Sequence, residues 1–359
     1  MASKSEPSRS TAGIAEGYSF SAKVGIVAGV AALFLFVWVA GWVLALLFAG
    51  ILLGVALRGL GHLVARRSGL SEDVALSICL TLIVLVLTAA FSLIGREMAG
   101  QFERLFQATQ TGTNQLRGYL GQYPLGRQVL DWWSELSWQP PAGLLARVTG
   151  VMSVSVEVVT NVSIVVGMAL FLAYRPNKYL DATIALVPTR HKERAREVLN
   201  ATSCVLRRWV AGRVTDMAVV GAITGVALYF MGSPAPLALG LLTGLILFIP
   251  FFGPIIATIP AALASLPDGP GWALAVVGLF ILIQVVEGFV LLPFITEYTV
   301  SVPAALMIAS QLVMGALLGV VGVLIAPPTA AAVLVMVQMV YIQDILGEKV
   351  EIAGECGSK

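Results

Sequence analysis

The residue with the most chemistry to offer is Glu287, set deep in an uncharged apolar stretch with Gln284 one helical turn before it and Pro293 beyond. A carboxylate in lipid with no Lys or Arg near it in sequence is costly to keep. Its natural chemistry is reversible binding of a proton or a monovalent cation, and Glu287 is read here as a coupling residue. The competing reading is a protonated carboxyl that donates one hydrogen bond to a neighbouring helix, or a position near the interface. Gln284 shares the face of Glu287 and can add an uncharged ligand or serve as helix-packing glue. Asp216 follows Arg213 at the start of an apolar run; an ion pair or an interface carboxylate is its first reading, a place on an ion path its second. Glu157 is placed near the outer interface, where solvation explains it.

A second feature is the stretch LLTGLILFIPFFGPIIATIPAALASLP, residues 241–267. Two apolar pieces flank Pro250, Phe251, Phe252, Gly253 and Pro254, and each is too short to cross a bilayer core of about 30 Å. Half-helices of this kind survive at membrane depth only where protein or a water-filled cavity satisfies the freed backbone, and their ends commonly form substrate or ion sites. The stretch is expected to be a re-entrant hairpin or discontinuous helix. Its turn, together with Pro293, is expected to line a substrate site. A Pro-kinked long helix or a surface turn is the plainer alternative.

Other chemistry is not signalled. The sequence has no HExxH, GxSxG, GxxxxGK or acidic calcium loop, so neither an enzyme nor ATP coupling on this chain is expected. Cys79, Cys204 and Cys356 are too few and too scattered for a disulfide framework or a metal site. His62 and His191 sit among arginines and read as solvated interface residues. No cofactor is expected beyond a coupling ion, proton or sodium.

The elements that must hold these residues are membrane helices. The chain is 58% hydrophobic and 12% charged, far from an average soluble domain, and its net charge of +2 suggests no nucleic-acid partner. The expected fold is an all-α polytopic membrane protein of about eight spans, with the broken hairpin and amphipathic surface helices added. Residues 1–23 form a polar leader and 24–95 hold spans one to three. Residues 24–57 are uncharged and would rise about 51 Å as one helix, so a hairpin of two spans turning at Trp38–Trp42 is expected. Span three is Val74–Ile94. Residues 96–150 form an outer amphipathic segment with Trp132, Trp133 and Trp138 as interface anchors, and span four occupies 151–174.

Residues 175–213 carry Arg175, Lys178, Arg190, Lys192, Arg194, Arg196, Arg207, Arg208 and Arg213, which the positive-inside rule assigns to the cytoplasm. Binding of anionic lipid by this segment is the weaker reading. From Val214 to Glu348 there is no Lys or Arg. A transport core is expected over 214–343, with the broken hairpin at 236–266 and spans five to eight, the last two dividing 303–341 at its glycines and prolines. A cytoplasmic tail follows at 344–359, so both termini lie inside.

The run Gly244 to Ile255 with Pro250, Gly253 and Pro254, then Ile259-Pro260, Glu287 with Leu291-Leu292-Pro293, and Gly315, Gly319, Gly322 and Ala326-Pro327 resembles the autoinducer-2 exporter family of bacterial permeases. The likeness in layout covers nearly the whole chain. It implies a secondary transporter in a bacterial cytoplasmic membrane, a homo-oligomer among membrane lipids, exporting a small polar molecule against a proton or sodium gradient. Glu287 matches the family's acidic position in the sixth span. The chain departs from the family at Gly212-Arg213, where a Gly-Gln pair is usual, at Tyr174-Arg175, where an Asp is usual, and at Val302-Pro303, where a His-Pro is usual. Two alternatives stand beside this reading: a sodium or lithium/proton antiporter without organic substrate, and a non-transporting membrane scaffold, which would be indifferent to substitution at Glu287.

Overall fold

The computed structural model describes residues 20–135, 156–291 and 302–348, and all regular structure among them is helical. The chain divides into residues 1–44, whose described part is the start of the first helix, and residues 45–359, which hold everything below. Pro293 lies outside the described residues.

α1 (Phe20–Ser68) is helical without interruption, so the hairpin turn expected at Trp38–Trp42 does not form. A lone Gly41 costs a helix only about 1 kcal/mol. That is far less than the cost of orphaning a turn's N–H and C=O groups in hydrocarbon. α2 (Glu72–Gly121) likewise runs past Ile94 for lack of a breaker, so residues 96–121, expected as surface helix, prolong span three. Arg58 joins the two helices through ion pairs to Glu72 and to Asp73 at 3.1 Å. α3 is the short helix Pro124–Glu135.

α4 (Val156–Tyr174) and α5 (Pro176–Ala185) meet at 89°. The bend follows from Pro176, which pushes Arg175 out of the helical region to φ −134°, ψ 54°. α6 (Lys192–Phe230) carries the basic stretch and the expected fifth span in one helix. Then come α7 (Pro236–Ile246), α8 (Phe252–Ser265), α9 (Pro270–Val286) and α10 (Ala304–Met336). Among the described residues, five helices are long and apolar enough to cross a bilayer, six if α4 and α5 count as one bent span. The expected count of eight is not confirmed among them: the hairpin expected at Trp38–Trp42 stays helical, and the five count residues 304–343 as one.

α6 and α7 run antiparallel with their backbones in contact. Gly221 and Gly225 on α6 face Gly240 and Gly244 on α7; a methyl group on Gly240 would sit 2.7 Å from the Gly221 carbonyl oxygen and 2.8 Å from Gly225 Cα. In lipid no hydrophobic force drives helices together, so such small-residue seams supply the packing. The start of α7 is held by α2: buried Gln101 accepts hydrogen bonds from the Leu237 and Ala238 N–H groups at 2.9 and 3.2 Å. Pro236 has no N–H to satisfy. Leu105 of α2, Leu228 of α6, Leu239 of α7, Ala261 of α8 and Phe280 of α9 then share one core.

Two ends can be distinguished. The basic end carries α5 and the arginine-rich start of α6; the far end carries the α6–α7 and α8–α9 connections. α10 reverses direction at Gly319, whose φ of 61° and ψ of −144° are open to glycine. Gly322 abuts Met314 and Gly315 faces Val323, pairs eight residues apart that a straight helix would separate by about 12 Å. Spans seven and eight are therefore two arms of a hairpin. The returning arm packs along the basic half of α6, where Val198 and Val205 meet Ala331, Val335 and Met339. It closes in a π-helical turn (Val337–Gln343). Arg194 clasps that turn, donating to the Met339 carbonyl at 3.1 Å, Gln343 Oε1 at 2.8 Å and Asp344 Oδ2 at 3.0 Å.

The glycine seam makes a directional prediction. Gly240→Val is expected to lower the thermal unfolding temperature of the purified protein sharply. Gly278→Val on α9, where no atom stands within 4 Å of the added carbon, is expected to leave it nearly unchanged. Equal melting curves would overturn the assignment of the seam.

Candidate functional site

Short helices and long ones converge at one depth. α7 has 11 residues and α8 has 14, about 16 and 21 Å at about 1.5 Å per residue. Neither crosses the membrane alone, and both start or end at the far end. Their turn therefore lies at membrane depth, which is the re-entrant geometry expected from the sequence. Leu247, at the end of α7, packs with Val220 of α6 and Ile283 of α9. Phe248 meets Trp209 edge-on, with ring centroids 5.8 Å apart.

The carboxylates stand one helical turn from that contact. Asp216 precedes Val220 on α6, and Glu287 follows Ile283 on α9. Asp216 accepts a hydrogen bond from Arg213 Nη1 at 2.7 Å; the Asp216 side chain is buried, 4% exposed, and that of Arg213 nearly so, at 13%. Glu287 is 5% exposed, accepts a hydrogen bond from Gln284 Nε2 at 3.0 Å and interacts electrostatically with both Asp216 and Arg213. The structure thus brings Glu287, Gln284 and Asp216 together and makes Arg213 their cation. Arg213 Nε and Asp216 Oδ1 are buried without a hydrogen-bond partner. Glu287 also opens a π-helical turn, Glu287–Leu291, an irregularity that recurs at functional positions in helices.

The Pro250–Pro254 turn is strained and braced. Phe251 holds φ 66° and ψ −49°, a conformation costing a non-glycine residue on the order of 1–3 kcal/mol. Gly253 permits the return, since a methyl group there would come 2.5 Å from the Ile246 carbonyl oxygen. The brace is a residue that the sequence reading passed over: Gln311, on the first arm of α10, donates from Nε2 to the Pro250 carbonyl at 3.3 Å. Gln311 is 1% exposed, and its Oε1 is buried without a partner. Its signal in the sequence is an amide alone in a run of aliphatic residues. Phe251 and Phe252 are exposed, and Pro254 accepts a hydrogen bond from Thr258 at 2.7 Å.

Chemically, two buried carboxylates face one guanidinium. Such a cluster tolerates one added positive charge, proton or small cation, better than its absence. All of its charged members are contributed by α6 and α9, beside a helical hairpin whose turn sits at the same depth.

A bundle of long apolar helices with a re-entrant hairpin packed on it and buried charge beside the hairpin turn is the architecture of a polytopic membrane transporter. The chain belongs to the AI-2E transporter family, whose pattern it matches over residues 27–342. It is 31% identical over 151 residues to "Putative transport protein YrrI" of Bacillus subtilis (strain 168), covering 42% of this chain and 43% of the relative. It is 32% identical over 180 residues to "Putative transport protein MT0215" of Mycobacterium tuberculosis (strain CDC 1551 / Oshkosh), covering 49% and 48%. A "Putative transport protein" of Thermotoga maritima (strain ATCC 43589 / DSM 3109 / JCM 10099 / NBRC 100826 / MSB8) is 26% identical over 52% of this chain and 57% of its own length. The matches span about half the length of these relatives.

The buried pair predicts a non-additive mutant set. Removing one partner of a buried ion pair costs about 3–5 kcal/mol, so Arg213→Gln, which strands two carboxylates, is expected to destabilise strongly. The double variant Arg213→Gln/Asp216→Asn is expected to recover most of that loss in thermal unfolding. Simple additivity of the two single variants would show that the groups act independently.

Proposed function

We propose that the chain is a secondary active transporter that exports a small polar molecule coupled to a proton or sodium gradient, with Glu287 as its coupling carboxylate. The observation that carries this reading is the buried cluster of Arg213, Asp216 and Glu287 at the depth of the hairpin turn. With both carboxylates ionised the cluster holds one uncompensated negative charge, and burial of an unpaired charge is costly. A proton or a sodium ion on Glu287 removes that cost, with Gln284 as an uncharged ligand. The substrate binds beside Pro250, Phe251, Phe252, Gly253 and Pro254, and Pro293 is assigned to the same site.

Occupancy changes the charge beside the hairpin, and the hairpin is the element suited to respond. It is joined to its surroundings by few polar contacts and stores strain at Phe251. Alternating access by movement of a broken element about a fixed site follows the logic of transporters with discontinuous helices. The arginine-rich end is placed in the cytoplasm by the positive-inside rule, which puts the end of the returning α10 arm inside, in a bacterial cytoplasmic membrane; the expected cytoplasmic N-terminus required the hairpin that α1 does not form. Assembly as a homo-oligomer belongs to the same proposal.

A second reading, a sodium or lithium/proton antiporter without organic substrate, is favoured by one fact: the cluster needs no more than a single monovalent cation for neutrality. Flux in liposomes separates the two. With a pH dye inside and an imposed sodium gradient, the wild type is expected to move protons and Glu287→Gln to be silent. If neither moves an ion until a small polar metabolite is supplied, the exporter stands and the antiporter falls. If Glu287→Gln matches the wild type in every gradient and with every substrate that moves, the coupling role of Glu287 is wrong and the scaffold reading gains.

A further inference from the structure

A pocket of about 400 Å³ opens at the basic end, where α1, the end of α4, α5 and α6 meet. One wall is apolar, built from Ile51, Val55 and Leu172, and the opposite side presents Arg207, Asn200 and Ser203. α4 and α5 meet beside it at 89°. With α4 crossing the bilayer, α5 runs in the membrane plane, at the level of the lipid headgroups.

The two arginines that line the pocket differ in what they hold. Arg58 is neutralised by Glu72 and Asp73 and also donates to the Ala173 carbonyl at 3.4 Å. Arg207 has no carboxylate partner among the described residues; its hydrogen bond goes to Cys204 Sγ at 4.0 Å. Its methylene stem lies directly on Gly59 of α1, where any side chain would collide with it, so packing of the stem places the exposed guanidinium at the pocket. A guanidinium fixed this way, beside an amide and a hydroxyl, is the donor set that recognises a phosphate. An apolar wall continuing from it toward the bilayer is what an acyl chain requires.

We infer that this pocket binds the headgroup phosphate of an anionic phospholipid. Arg207 supplies the charge, Asn200 and Ser203 supply hydrogen bonds, and one acyl chain lies along Ile51, Val55 and Leu172. The same polar groups would accept free inorganic phosphate, whereas a zwitterionic lipid brings a second cation toward an arginine and is disfavoured. The site is independent of the coupling cluster and of the transport reading, since none of its residues belongs to either.

The test is thermal unfolding of the full-length protein in detergent micelles, with phosphatidylglycerol, phosphatidylcholine or inorganic phosphate added at matched concentration. Phosphatidylglycerol is expected to raise the unfolding temperature of the wild type and of Arg66→Gln, an exposed arginine outside the pocket, by several degrees. Arg207→Gln is expected to lose that shift and Arg207→Lys to keep part of it. Ser203→Leu, which fills the polar side without removing charge, is expected to lose it as well. The proposal is overturned if phosphatidylcholine stabilises equally, or if both Arg207→Gln and Ser203→Leu respond like the wild type. A shift reproduced by inorganic phosphate alone would assign the pocket to a soluble anion and overturn the lipid.

Discussion

Backbone groups released inside a membrane must find partners in the protein, and the α7–α8 hairpin meets that constraint with two glutamines from distant parts of the chain. At its far-end start, Gln101 offers an oxygen to two N–H groups that no helix turn precedes. At its turn, Gln311 offers an N–H to the Pro250 carbonyl. A neutral amide carries both a donor and an acceptor, so the same residue type serves at either place without bringing a charge. Gln101 is itself oriented by Glu97, which accepts from its Nε2 at 3.2 Å and from Arg104 at 2.8 Å. The depth of the hairpin turn, and with it the relation of that turn to Asp216 and Glu287, depends on these few bonds and on the glycine seam with α6.

The parts of the molecule legible in the sequence are those where lipid makes a residue expensive. Glu287 and Asp216 stand out because carboxylates in apolar runs are rare, and the structure puts them in one cluster. Pro250, Gly253 and Pro254 stand out because prolines interrupt or begin helices, and two short helices result, with Gly253 and Pro254 in the first turn of the second. Helix ends without a breaker were not legible: neither Gly41 nor Gly95 stops a helix, so α1 and α2 exceed the lengths that bilayer thickness alone suggests. Gln101 and Gln311 were hidden for another reason. A single amide looks the same in sequence whether it glues two helices or caps a third, and its partner lies 136 residues away in one case and 61 in the other.

The two hairpins approach each other from opposite ends. α7 and α8 enter from the far end and turn at Pro250. The arms of α10 enter from the basic end and turn at Gly319, with Gln311 on the first arm touching the first hairpin's turn. No sequence repeat announces this opposition, since the first hairpin turns on prolines and a strained phenylalanine and the second on a left-handed glycine. What they share is physical: arms joined by a turn that no regular helix could make.

The absence of Lys and Arg from Val214 to Glu348 has a consequence for how the molecule is made. The translocation machinery reads cationic flanks to decide which way a helix inserts, and α7 to α10 offer it none. Their orientation is inherited from α6, whose cationic first half precedes them on the ribosome and whose apolar second half carries the glycines that α7 must find. The clasp of Arg194 on Met339, Gln343 and Asp344 then closes the circle, since the last helical turn among the described residues returns to the cationic start of α6. For this half of the chain, topology is a product of assembly order, and α6 is its template.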